Sequence, residues 1–242
     1  LIAHSASAGP PGVLDDPHAI GAGNIEIILA SVASEQGGEI GVEGPVLDLT
    51  LGIVDGFDFL AVGSMGHVAN SGQDEPETGL FMTGFKWQPI QGDQWNASLT
   101  PAVSFQIRGD DLTAVNLTLQ VERNFRRFAF GTDVVYTWVN DDTHTWRAGV
   151  YGLFSASDRL QLLGEVWYFN SLEAIDLGLG LGGGTLNQRG EDLAFNLGFD
   201  WESPLGVHVL ASAGSGLGSW KRERIGWQGY LGLQWVLDGS AP

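Results

Sequence analysis

The sequence holds no cysteine and only two lysines, Lys86 and Lys221. Without cysteine, disulfides, thiolate metal sites and cysteine nucleophiles are excluded together. Basic residues are scarce altogether: 11 Lys and Arg stand against 29 Asp and Glu, a formal net charge of -18. A nucleic acid, gripped through its phosphates, would be repelled by that balance. No stretch of 18 apolar residues occurs, so no transmembrane helix is expected. Helical periodicity is nearly absent. Charge of either sign is sparse, at 17% of residues, while hydrophobic residues reach 43% with nine tryptophans. A soluble surface normally carries more total charge. At 242 residues the chain is long enough to need no disulfide or metal staple.

What is present is alternation with a period of two. From Trp95 to Arg108, Trp95, Ala97, Leu99, Pro101, Val103, Phe105 and Ile107 interleave with Asn96, Ser98, Thr100, Ala102, Ser104, Gln106 and Arg108. A strand sends alternate side chains to opposite faces and produces this split. Twelve such segments are read, at 24–34, 45–54, 57–67, 78–88, 95–108, 112–122, 126–139, 143–154, 159–170, 191–202, 206–216 and 225–237. Most have the length a tilted strand needs to cross a bilayer. Short links such as Val54-Asp55-Gly56 and Ser203-Pro204-Leu205-Gly206 alternate with longer ones such as 35–44, 68–77, 171–190 and 217–224. Short turns at one end and long loops at the other mark an outer-membrane barrel. The links near Asp110 and Asp141 are short and depart from the pattern.

Three features send the apolar face outward. A barrel of about eight strands is already filled by its own side chains, and the bulky set here is too large for one interior. The polar face is Asn, Ser, Thr, Gln and Gly with isolated charges, unlike a water-facing surface rich in Lys and Glu. Trp87, Trp95, Trp138, Trp146, Trp201, Trp227 and Trp235 lie near segment ends, where membrane-interface aromatics belong. In hydrocarbon an edge strand has no water to satisfy it, so the first and last segments should pair. The expected architecture is therefore an all-β, closed, antiparallel up-and-down transmembrane β-barrel of about 12 strands, at 24–237. Residues 1–23 form an N-terminal periplasmic segment and 238–242 a C-terminal tail, with both termini periplasmic. Ala6-Ser7-Ala8 resembles the small-residue end of a secretory signal; a flexible terminus is the competing reading. The Leu- and Gly-rich stretch 177–184 reads as a loop, with a strand extension as its alternative.

The polar face assigns Asp48, Asp58, Lys86, Arg108, Glu122, Asp133, Arg147, Glu165 and Asp200 to a pore lining. They could form a paired network or set the field along a path. Their sum is negative, so cation preference is expected of a conducting pore. Tyr151, Trp167 and Tyr230 are aromatic lumen candidates, fitting a hydrophobic path or a plug. No catalytic residue, metal site or cofactor is expected. No two of the five histidines share helical metal-binding spacing. His208 and Ser212 share a face but would lie about 13 Å apart in a strand, too far for a nucleophile and its base.

Pro10-Pro11-Gly12-Val13-Leu14-Asp15-Asp16-Pro17, followed by Gly21-Ala22-Gly23-Asn24-Ile25-Glu26-Ile27, resembles the start of a known family. Pro45-Val46-Leu47-Asp48-Leu49-Thr50-Leu51-Gly52 and Thr78 through Trp87 are similar to its later strands. That family is the outer-membrane transporter group of the MetA-pathway of phenol degradation type. Leu14 stands where a Thr is common, and the chain ends in 238–242 rather than on an aromatic. The resemblance implies a channel for small, often aromatic or hydrophobic, molecules, and it brings no catalytic residues. The expected partners are outer-membrane lipid, a small-molecule solute and other envelope proteins. The alternatives are a plugged accessory barrel of a larger outer-membrane assembly and a soluble lectin-like sandwich.

Overall fold

The computed structural model describes residues 15–36, 39–70, 73–76, 79–106, 113–139, 143–171, 190–217 and 225–239. The strands are β1 (Ile25–Gln36), β2 (Glu39–Val54), β3 (Phe57–Asn70), β4 (Gln73–Pro76), β5 (Leu80–Gln91), β6 (Trp95–Gln106) and β7 (Thr113–Phe125). They continue as β8 (Phe128–Val139), β9 (Thr143–Ser157), β10 (Leu160–Ser171), β11 (Gly190–Glu202), β12 (Val207–Gly216) and β13 (Ile225–Leu237). Short β4 pairs with the end of β3. The other twelve pair antiparallel in chain order, and β1 closes on β13 from Ile25↔Leu237 to Gln36↔Ile225. The result is a closed 12-strand all-β barrel.

Alternation decides the two surfaces. Along β8, Phe128, Phe130 and Val134 are exposed, while Ala129, Gly131 and Asp133 are buried. Leu197 is 64% and Leu231 61% exposed, whereas Gln120, Asp133 and Gln234 are at 0%. This inverts a water-soluble protein, whose core is apolar and whose surface is charged. Such an outer wall needs an apolar solvent, and only a closed sheet satisfies every backbone group within one. A soluble sandwich is set aside on this burial.

Two-residue turns at 55–56, 126–127 and 158–159 join strands at one end, hereafter the short-turn end. The β1–β2 hairpin is longer than its alternation suggested, since β2 starts at Glu39 rather than 45. Gly44-Pro45 sits where the register shifts between Glu43 and Val46, a bulge that shifts the period by one residue. β4 is a further strand, inside what reads as a loop. The link 177–184 and those near Asp110 and Asp141 lie outside the described residues.

Candidate functional site

The interior is the site, and the first element in it is the segment before β1. Residues 15–23, expected as a periplasmic segment, run inside the barrel at the short-turn end where described. Ala22 N donates to Asp55 Oδ1 (3.2 Å) at the mouth, and Ile20 N to Asp58 Oδ2 (3.0 Å) deeper in. Ala19 N donates to Gln88 Oε1 (2.8 Å). His18 Nε2 meets Glu122 Oε1 at 2.7 Å, and Tyr151 Oη donates to Glu122 Oε2 (3.0 Å). Lys86 Nζ donates to the Asp16 carbonyl and lies 2.9 Å from the Asp15 carboxylate. The reason is charge: a buried ammonium on β5 and a buried carboxylate on β7 each need a counter-charge, and the segment supplies both.

Local sequence aims the segment inward. Gly21 and Gly23 have φ of +87° and +80°, conformations that cost L side chains and turn the chain from the lumen into β1. Gly23 N donates to Gly52 O and Gly52 N to Asn24 O, at 2.8 and 2.9 Å. A Cβ at Gly52 would fall on the Gly21 carbonyl, so glycine there permits the close approach. At Gly131 a Cβ would fall on the Tyr151 ring, which crosses that gap to reach Glu122.

The segment carries its own proton chemistry. Burial raises the Asp16 carboxyl to about 6, against the lowering by His18 and Lys86. Burial lowers His18, but the Glu122 hydrogen bond and the Asp16 and Glu122 charges outweigh it and leave it raised. Both docked groups therefore hold protons that the free segment gives up. The docking they favour is full below their free values of 3.8 and 6.5 and is lost as pH rises through the docked values. Conductance of the purified barrel should be lower at about pH 5 than at about pH 8. His18→Gln should flatten the part of the slope above about pH 6.5. A pH-independent current in both proteins would refute the contribution.

Beyond the segment, side chains bond across neighbouring strands. Ser98 donates to Gln120 (2.5 Å), Asn116 to Ser104 (3.0 Å) and Thr137 to Asn116 (2.7 Å). Farther round the ring, Gln228 on β13 reaches past Gly214 of β12 to donate to Asn196 on β11, and Asn196 donates to Glu165 on β10, each at 2.7 Å. Arg147 Nη2 is 3.6 Å from Asp133, and Gln234 donates to Glu26. Asp48, Asp58, Lys86, Glu122, Asp133, Arg147, Glu165 and Asp200 thus all sit on inward positions; Arg108 lies outside the described residues.

Two apolar stripes interrupt the polar wall. One joins Ala30, Val46 and Val62, with Ile28, Met82 and Tyr230 against them. The other joins Tyr151, Leu153, Leu163, Trp167 and Phe169 with Ala129 and Ala194. Trp167 fits because its cross-strand neighbours are Gly149 and Ala194. The strand order puts β1–β3 across the ring from β8–β10, so the stripes face one another across the lumen.

Sequence reasoning missed the Asp200–His208 pair, whose Nδ1 lies 2.8 Å from Oδ1. Both residues point inward on the two arms of one hairpin, which was the available signal. Among the described residues no group of three His, Asp or Glu side chains could hold a metal ion. On the outer wall Trp87, Trp95, Trp201 and Trp235 lie toward the short-turn end, and Trp138, Trp146 and Trp227 toward the other. All are exposed except Trp235, which is half-buried.

No family model matches the sequence, and no curated protein does. Solved structures do share the fold. A COG4313 outer membrane channel from Pseudomonas putida F1 superposes with a TM-score of 0.71 at 12% identity, covering 92% of this chain and 98% of that one. The KdgM porin in complex with disordered oligogalacturonate gives 0.57 at 10% identity, covering 89% and 99%. The NanC porin gives 0.59 at 8% identity, covering 87% and 98%. At these identities the likeness is one of architecture: the chain has the fold of outer-membrane channel and porin barrels.

Proposed function

We propose that this protein is a passive outer-membrane channel for small solutes, selective for cationic or neutral molecules with flat apolar faces. The observation that carries the reading is the lumen: inward carboxylates outnumber inward cations, and two apolar stripes face each other between polar walls. An acidic lumen focuses cations and repels anions. An acidic oligosaccharide of the kind bound by KdgM would be disfavoured in it. The apolar stripes offer contact to both faces of a ring while polar walls meet its edge. The resemblance of 10–27 to the MetA-pathway of phenol degradation type points to the same aromatic class. Passage through such a lumen needs no catalytic group.

The test is a planar bilayer holding purified protein between unequal KCl solutions, followed by liposome swelling with aromatic amines and aromatic carboxylates. The reversal potential should report K⁺ as the more permeant ion, and amines should swell liposomes faster than acids. Anion selectivity would defeat the proposal. The docked segment specifically favours a second reading, a plugged accessory barrel in an envelope assembly. Absence of any conductance, with or without residues 1–20, would decide for it.

A further inference from the structure

The short-turn rim is divided by charge. Asp55, Asp93 and Asp238 are exposed along most of it. One sector differs: Arg126 and Arg127 form the β7–β8 turn, Arg159 sits in the β9–β10 turn, and Arg123 lies on the outward face of β7 two residues before its end. All four are exposed, and none forms an ion pair with an acid among the described residues. The two turns are neighbours, since Ser155 N donates to the Arg127 carbonyl (2.9 Å). Asp158 lies within the sector, and Asp93 and Glu202 border it, the Glu202 amide donating to the Arg159 carbonyl (2.9 Å). In a chain with 11 basic residues and a net charge of -18, four arginines at one place are a concentration against the trend.

Two further observations say what the sector meets. First, Arg126 has φ of +42°, a left-handed conformation that suits Asn or Gly in a two-residue hairpin turn. A long cationic side chain stands where the backbone favours a small one, a choice that turn chemistry alone does not call for. Second, an aromatic platform lies immediately lipidward. Phe128 stacks on Phe154 at 4.8 Å between centroids, and Phe130 stands 6.4 Å from Phe128. The Arg123 guanidinium lies over Trp95 and Phe125, at 5.1 and 4.6 Å. Cations above an apolar aromatic shelf match an amphiphile with an anionic head and acyl tails.

We infer that Arg126, Arg127, Arg159 and Arg123 form a docking site for an anionic phospholipid headgroup, whose acyl chains lie along Phe128, Phe130 and Phe154. Guanidinium groups bind phosphate through paired N–H donors, which lysine cannot do. The short-turn end of an outer-membrane barrel faces the phospholipid leaflet, so the amphiphile that meets this sector is a phospholipid. The inference rests on the membrane-spanning reading and is independent of the solute.

The test is native mass spectrometry of the full chain, extracted into detergent with equimolar phosphatidylethanolamine, phosphatidylglycerol and cardiolipin. Phosphatidylglycerol and cardiolipin should be retained over phosphatidylethanolamine. The triple variant Arg126→Asn, Arg127→Gly, Arg159→Gln keeps a favourable turn, so its thermal midpoint should not fall. Its anionic-lipid retention should drop roughly tenfold. Should that variant fold poorly, Arg127→Gln with Arg159→Gln leaves residue 126 untouched and should still lower retention severalfold. Retention blind to headgroup, or unchanged in the variants, overturns the site, and so does preferential retention of added lipid A. Normal conductance alongside either result would leave the channel reading standing.

Discussion

A barrel lacking residues 1–20 should conduct about threefold more current than the full chain, or better. Eight strands enclose only their own side chains and sixteen a water-filled channel, so twelve leave a space that a single extended segment can obstruct. Residues 15–20 occupy it through backbone and side-chain bonds to β3, β5 and β7. Single-channel recording in planar bilayers measures the change. Lys86→Met keeps the segment but removes the ammonium that holds the Asp16 carbonyl and the Asp15 carboxylate. The Asp15 carboxylate is partly exposed, so losing its partner costs only about 1 kcal/mol, and this variant should flicker between the two current levels. Equal currents in all three proteins would mean that ions pass beside the segment.

The second large effect concerns charge. Replacing Glu26 and Asp48 by Gln and Asn keeps side-chain shape and the Gln234 contact while removing two inward carboxyl groups from adjacent strands β1 and β2. Recorded at about pH 9, the cation-to-anion permeability ratio should fall roughly threefold, because a narrow low-dielectric passage amplifies each ionised carboxylate. Heat stability should not fall, since two like charges in a confined space repel each other. Reversal potentials across a KCl gradient read the ratio, and melting of the detergent-solubilised barrel reads the stability. An unchanged ratio would place the conducting path away from this wall.

The barrel was legible because two solvents write on alternate residues. Phe128, Phe130 and Val134 answer to one, and Ala129, Gly131 and Asp133 to the other, so fold, strand count and closure follow from a local period. The candidate site was legible only by face. Glu122 and Lys86 read as inward, but their partners His18 and Asp15 belong to a segment with no period, and His18 meets a residue 104 positions away. A contact at that separation leaves no local trace. The Gly21 and Gly23 pair was visible as a resemblance, while its positive φ values and the Gly52 approach needed coordinates. The β2 extension was hidden because the Gly44-Pro45 bulge reverses the parity of the β2 residues before it.

The seam between β1 and β13 has a consequence for how the molecule comes into being. Ile25 must find Leu237, and Asn24 Oδ1 must find the Gly239 amide, across almost the whole length of the chain. Every other strand pairs with a near neighbour in sequence and can zip as it emerges. Until the last strand arrives the growing sheet keeps two raw edges, each able to recruit a foreign strand. Closure therefore waits for residues 225–237, and a polypeptide truncated before residue 225 would keep its edges open rather than form a smaller version of the same object.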